Sequence, residues 1–122
     1  MFSKSVKTPP ILEVHHKYKW DVITGEVEFS DSWFTSLGYE PDELPHNVET
    51  WQNLVCPECM PYVWKELEPC LKGATNVFKC VNRFRRKDGT YRWNLDHGKV
   101  TERNNRGEAL MMEGYDIPLL AA

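Results

Sequence analysis

Two thiols carry the sharpest chemical signal in this chain. Cys56-Pro57-Glu58-Cys59 spaces them as a redox dithiol or as half of a zinc site. A structural zinc needs four ligands. The remaining thiols, Cys70 beside Pro69 and Cys80 within a strand-like run, form no second close pair, and His46 lies well upstream. A thioredoxin-like pair would sit where a strand enters a helix, whereas this pair sits where a loop does. The plain expectation is thiols filling small space. A metal or redox module centred on Cys56 and Cys59 stays open as an alternative function, since a thiol near a helix N-terminus oxidises readily.

No catalytic set stands beside them. The chain has no Gly-rich phosphate loop, no Gly-x-Ser-x-Gly and no His-Glu-x-x-His. Asp42 with Glu43, and Glu66 with Glu68, read as solvated helix-surface carboxylates. Asp96 and His97 are adjacent, and a second alternative is a small enzyme on a cupped α+β sheet that uses them as acid and base. Neighbouring strand residues point to opposite faces, which counts against that pairing. Arg83, Arg85, Arg86 and Lys87 read as a charged hairpin edge that deters strand pairing. With 15 basic against 18 acidic residues, no nucleic-acid surface is expected.

The elements that must position these groups follow from pattern. A chain of 122 residues makes one domain. It has no apolar run long enough to span a membrane, and residues 1–10 lack an apolar signal core, so secretion is not expected. Four cysteines are too few for a disulfide scaffold, so an intracellular, cytoplasmic setting is expected. Five Trp, five Tyr and five Phe suit a large core or a lined pocket. Tyr18, Trp20 and Val22 alternate with Lys17, Lys19 and Asp21, predicting a first strand; Thr24-Gly25 turns the chain into a second strand with Val27 and Phe29 on one face.

Ser30 caps a helix with Trp33 and Leu37 one turn apart, and Gly38 ends it. Pro41 to Pro45 leaves room for about one helical turn. Val48 to Val55 is helical, and a further helix starts near Glu58, with Pro69 expected to kink or stop it and Gly73 to close the segment. Three strands follow: Val77 to Arg86, Thr90 to Arg103 with an irregularity expected near Gly98, and Glu108 to Ile117. Lys87-Asp88-Gly89-Thr90 and Asn104-Asn105-Arg106-Gly107 make the turns between them. The class is α+β: a five-stranded antiparallel sheet with helices inserted between strands two and three.

Taken in order, these stretches resemble a PAS domain of the sensory-box type with a PAC-like second half. The resemblance rests on Trp20-Asp21 to Thr24-Gly25, Phe29-Ser30-Asp31-Ser32-Trp33, Leu37-Gly38-Tyr39 and Asp42-Glu43-Leu44. Arg83 to Trp93 and Gly107 with Gly114-Tyr115-Asp116-Ile117 complete it. It covers about Tyr18 to Ile117. The chain departs from the pattern at Cys56-Pro57-Glu58-Cys59, at Pro118 after Asp116-Ile117, and at Gly114 so close to Asp116. The resemblance implies a sheet cupping a pocket beneath the helices, in a non-catalytic input module that binds a small molecule or mediates a homodimer. Such modules usually regulate a fused histidine kinase or diguanylate cyclase. Residues 1–17 are then an arm or short helix, 18–118 the domain, and 119–122 a tail toward an output module.

Apolar faces nominate Trp20, Phe29, Trp33, Leu37, Trp51, Val55, Val63, Leu67, Phe78 and Phe84 as pocket wall or core. In the third strand Cys80 and Asn82 share the parity of Phe78 and Phe84. Alternation alone would bury Trp93 and Leu95; by comparison with the family, Asn94 and Asp96 face inward instead, join Asn82 in the cup, and turn Trp93 out. The haem-binding relatives supply an axial His from the long helix, which has none here, and the flavin-photochemical relatives need an Asn-Cys-Arg-type motif that is missing. Haem and flavin are therefore not expected, and any cofactor is left unnamed. Ile11, Leu12 and Val14 on the arm, with the outer sheet face, are expected to meet a second subunit or the chain's own output domain.

Overall fold

The computed structural model describes residues 15–119. Strand β1 (His16–Asp21) runs into β2 (Val27–Phe29), helices α1 (Asp31–Thr35), α2 (Val48–Leu54) and α3 (Met60–Lys72) follow, and β3 (Phe78–Arg85), β4 (Tyr91–Arg103) and β5 (Ala109–Pro118) complete the sheet. The spatial order is β2-β1-β5-β4-β3, with every pairing antiparallel. Ile11, Leu12, Val14 and the last three residues lie outside the described residues.

Local chemistry explains the punctuation. Asp21 Oδ1 accepts from the backbone N–H groups of Ile23 and Thr24 at 3.0 and 3.1 Å, closing the first turn. Ser30 Oγ accepts from Trp33 N at 3.3 Å, and Asn47 Oδ1 accepts from Thr50 N at 3.0 Å, so α1 and α2 each begin on a side-chain cap. Between them Pro41–Pro45 forms turns rather than a helical turn, with Glu43 N bonded to Glu40 O at 3.0 Å. Gly89 takes φ +91° in the β3–β4 turn.

Further expectations are corrected. Pro69 does not stop its helix, which continues to Lys72. Proline removes one hydrogen bond, but Val63, Leu67 and Cys70 are buried along one face and hold the last turn down. The irregularity of β4 is not at Gly98, which pairs in register with Phe78 and Gly114; it lies at Val100–Arg103. Pro118 does not release the chain: it pairs with Asn94, and Leu119 N donates to Trp93 O at 2.9 Å. Strand N–H groups alternate sides, so the N–H that Pro118 lacks belongs to the side away from β4.

The inner sheet face is organised in transverse rows. His16, Asp116, Asp96 and Cys80 are successive register partners across β1, β5, β4 and β3; the next row is Tyr18, Gly114, Gly98 and Phe78. Helices bring Trp33, Phe34, Leu54, Val63 and Leu67 onto this face, and Leu37, expected within the helix, reaches it from the turn that follows Thr35. Burying each such side chain is worth about 1.5–3 kcal/mol. The strand-four ambiguity resolves with Asn94 and Asp96 inward and Trp93 outward, 46 % exposed.

Candidate functional site

Between sheet and helices lies a cavity of about 40 Å³, walled almost wholly by apolar surface. That is room for a few water-sized groups. Tyr18 and Trp20 line it from β1, Val27 and Phe29 from β2, Val48 and Trp51 from α2, and Leu67 from α3; Phe78, Met112 and Asp96 form the sheet wall. Asp96 is its acidic member, and Trp20 Nε1 is a buried donor without a protein acceptor.

Asp96 belongs to a buried polar network. Tyr18 donates its hydroxyl proton to Asp96 Oδ1 at 3.0 Å, and the Trp33 indole N–H donates to Asp116 Oδ2 at 2.8 Å. Asp116 faces Asp96 across the ladder, and its Oδ1 is buried without a hydrogen-bond donor. Burial pushes both carboxyls up, Asp116 to about 7 and Asp96 well above the usual range, where the Asp116 charge raises it further. The pair thus holds a proton. Arg92 extends the network: Nη1 donates to Ser36 Oγ at 2.6 Å and Nη2 to Asn94 Oδ1 at 3.4 Å, while Asn94 Nδ2 donates to Asn82 Oδ1. His16, with a ring nitrogen 2.9 Å from Ser32 Oγ, is lowered to about 4 by burial, with Arg92 and His15 adding repulsion.

Two glycines make the network possible. The Tyr18 ring must cross β5 to reach Asp96 on β4. A Cβ on Gly114 would lie 2.5 Å from the Tyr18 hydroxyl and overlap the His97 carbonyl oxygen; a Cβ on Gly98 would overlap that hydroxyl and come within 2.9 Å of Met112 Cε. Gly114, a departure from the family pattern in sequence, is therefore the trough for a phenol.

The sequence candidates divide between two places. Trp20, Phe29, Trp51, Leu67, Phe78 and Asp96 meet at the cavity. Trp33, Leu37, Val55, Val63, Cys80 and Phe84 are buried in the surrounding core, and Asn82 and Asn94 bond to each other away from the cavity. Sequence reasoning left Tyr18, Val27, Val48 and Met112 out of the wall, although the parity of Tyr18 with Trp20 and of Val27 with Phe29 carried the signal. Asp116 and Arg92 were missed as network members, since nothing local shows which strands become neighbours.

The other constellations stay apart from the cavity. Asp96 faces inward, whereas His97 stacks on Tyr115 at 5.2 Å between centroids on the outer face, so the two serve no common site. Cys56 Sγ accepts from Arg83 Nη2 at 2.9 Å and its S–H points at Glu58 Oε1, also 2.9 Å away. Among the described residues no three of His, Cys, Asp and Glu converge as metal donors. A guanidinium bound to the Cys56 sulfur also opposes a cation there.

Comparison with known proteins agrees with this architecture. A family model for the PAS fold matches residues 26–115. A sensory box histidine kinase/response regulator from Burkholderia thailandensis superposes with TM-score 0.74 at 24% identity, covering 86% of this chain and 76% of that one. The N-terminal domain of a diguanylate cyclase with PAS/PAC sensor from Marinobacter aquaeolei gives TM-score 0.73 at 21% identity, covering 86% and 94%. A tryptophan-to-alanine variant of the PAS-B domain of Drosophila melanogaster Cycle, with bound glycerol, gives TM-score 0.68 at 13% identity, covering 85% and 99%. No curated protein matches the sequence.

Proposed function

The chain belongs to the PAS fold family, and on that premise we propose that it is a non-catalytic sensory input module whose cavity takes a small, mainly apolar molecule. The observation that carries this reading is the cavity itself: aromatic and aliphatic walls with Asp96 at one side and the Trp20 indole N–H near by. The protonated Asp96–Asp116 pair supports a neutral ligand over an ion, because charging the pair in that setting is costly. A ligand of this kind acts on signalling only by favouring one arrangement of sheet or helices over another. The regulated output is a histidine kinase or a diguanylate cyclase, in a cytoplasmic protein; no described helix is long and apolar enough to cross a membrane.

The test is to identify what co-purifies by solvent extraction and mass spectrometry. Small neutral alcohols and aromatics are then titrated while the Trp20 and Trp51 indole N–H resonances are followed. Shifts confined to the cavity tryptophans support the reading; no shift at millimolar concentrations opposes it.

A second reading concerns association. Val81 and Trp93 are exposed on the outer face of β3 and β4, where large apolar side chains mark contact surfaces. A second copy of the chain is the proposed occupant. Sedimentation of the full chain and of a version lacking residues 1–14, at about 100 μM where weak contacts register, tests it. A monomer in both removes the dimer and leaves docking to an output domain.

A further inference from the structure

The connection between α2 and α3 holds a dithiol that the cavity chemistry does not use. Cys59 N donates to Cys56 O at 2.9 Å, closing a single tight turn through Pro57 and Glu58. A turn closed this way keeps its first and fourth Cα within about 7 Å. A disulfide spans Cα separations of roughly 4.4–6.8 Å. Cys56 N in turn donates to Arg83 O at 2.8 Å, tying the turn to edge strand β3. The Arg83 side chain folds back on the same turn: Nη2 donates to Cys56 Sγ at 2.9 Å, and the Cys59 thiol neighbours both the guanidinium and the Cys56 sulfur.

Access differs between the two sulfurs. Cys56 is 1 % exposed, while Cys59 is half-buried and open to small reagents. Cys70 and Cys80 are buried elsewhere in the core. The arrangement therefore has an attacking thiol at the surface, a resolving thiol beneath it and a cation beside both.

We propose that Cys56 and Cys59 are a reversible dithiol–disulfide site, with Arg83 as the positioning residue that holds the two sulfurs together. The oxidant class is a peroxide. The Cys59 sulfur, having given its proton to solvent, attacks one peroxide oxygen. The O–O bond breaks, a sulfenic acid forms on Cys59, and the departing hydroxide takes up a proton to become water. The Cys56 sulfur then attacks the sulfenic sulfur. The S–S bond forms, the S–O bond breaks, and the oxygen leaves as a second water. Two thiols lose two electrons and two protons, and one peroxide becomes two waters. Glu58 Oε1, 2.9 Å from Cys56 Sγ, accepts the resolving proton on its way out. Burial, together with that bond to Glu58, pushes the Cys56 thiol up, which keeps it protonated until the sulfenic acid is present. The Arg83 charge stands where negative charge gathers on sulfur during the first attack.

The experiment treats the folded full chain with a slight excess of hydrogen peroxide, quenches by alkylation, and reads intact mass and cross-linked peptides. The expected result is a loss of about 2 Da from one new bond. It should map to the peptide joining Cys56 to Cys59 and be reversed by dithiothreitol. Cys56→Ser should stop at a dimedone-reactive sulfenic acid on Cys59, and Cys59→Ser should remove rapid oxidation. Arg83→Gln should slow closure by about tenfold, with its melting curve and circular dichroism reporting that the fold is kept. Bonds mapping to Cys70 or Cys80, bonds between chains, or closure only after unfolding would each overturn the site. Closure at the parent rate in folded Arg83→Gln would overturn the part given to Arg83.

Discussion

Asp96 on β4 and Asp116 on β5 are direct register partners, both almost fully buried, and they face each other on the inner side of the sheet. Like charges in such a place cannot both persist, so the pair keeps a proton. Tyr18 from β1, Trp33 from α1, Trp51 from α2 and Arg92 from β4 surround it, and His16 on β1 and Cys80 on β3 flank it as register partners. A carboxyl whose folded pKa is raised binds its proton more tightly when folded. The unfolded chain then binds fewer protons between the ordinary value of 3.8 and about 7, and stability falls as pH rises through that window. His16, lowered to about 4, acts in the opposite sense between 4 and 6.5.

Asp96→Asn isolates the acid pair. Its amide still accepts from Tyr18 and donates toward Asp116 Oδ1, but it carries no titratable proton. Melting at pH 8 should rise by about 4 °C, on the order of 1 kcal/mol, and the loss of stability from pH 5 to pH 8 should flatten. Equal destabilisation at both pH values would show that the pair is not protonated as described.

Gly114→Ala should be costly although the change is one methyl group. The new Cβ meets the His97 carbonyl oxygen and the Tyr18 hydroxyl together. Overpacking of this kind costs about 1–3 kcal/mol. Adding Tyr18→Phe should restore only part of that, because the backbone clash remains. Urea midpoints of the two variants make the comparison.

Val27→Ile places one more methylene against the cavity. If the group fits, stability rises by about 0.8 kcal/mol and the indole shifts caused by small neutral molecules shrink. A drop in melting temperature with unchanged ligand shifts would place the free volume elsewhere.

Ser30→Ala removes the cap of a helix only five residues long. The expected loss is about 1 kcal/mol, read from thermal melts. Because α1 carries Trp33 and Phe34 into the core, the Trp33 indole resonance should broaden as well.

Gly89→Val tests the β3–β4 turn. Nothing lies within 4 Å of the added Cβ, so the cost comes from φ +91° alone. About 1–2 kcal/mol is expected, and unchanged melting would argue against the left-handed turn.

Element order was legible because it rests on local signals: period-two alternation in β1 and β3, caps at Ser30, and Gly89 after Asp88. The cavity wall was half legible for the same reason, since parity finds the inward face but not the inward neighbour. Tyr18 and Asp96 are 78 residues apart, and only the β1–β5 and β5–β4 pairings bring them together. Gly98 reads as a strand irregularity because its true role, clearance for a ring from another strand, is written in no adjacent residue. That Pro69 does not stop α3 is not legible locally, because it rests on the burial of Leu67 and Cys70.

The Tyr18 side chain also has a mechanical meaning. It is anchored on β1, passes over β5 without a side chain beneath it, and fastens to β4. One such bond contributes only about 1 kcal/mol, but it straddles two ladders at once. A one-residue slip of β1 would turn the phenol to the opposite face and unfasten it. The strap thus resists shear between the three central strands, and tension applied where β5 leaves the sheet is shared by β1 and β4 rather than borne by one ladder.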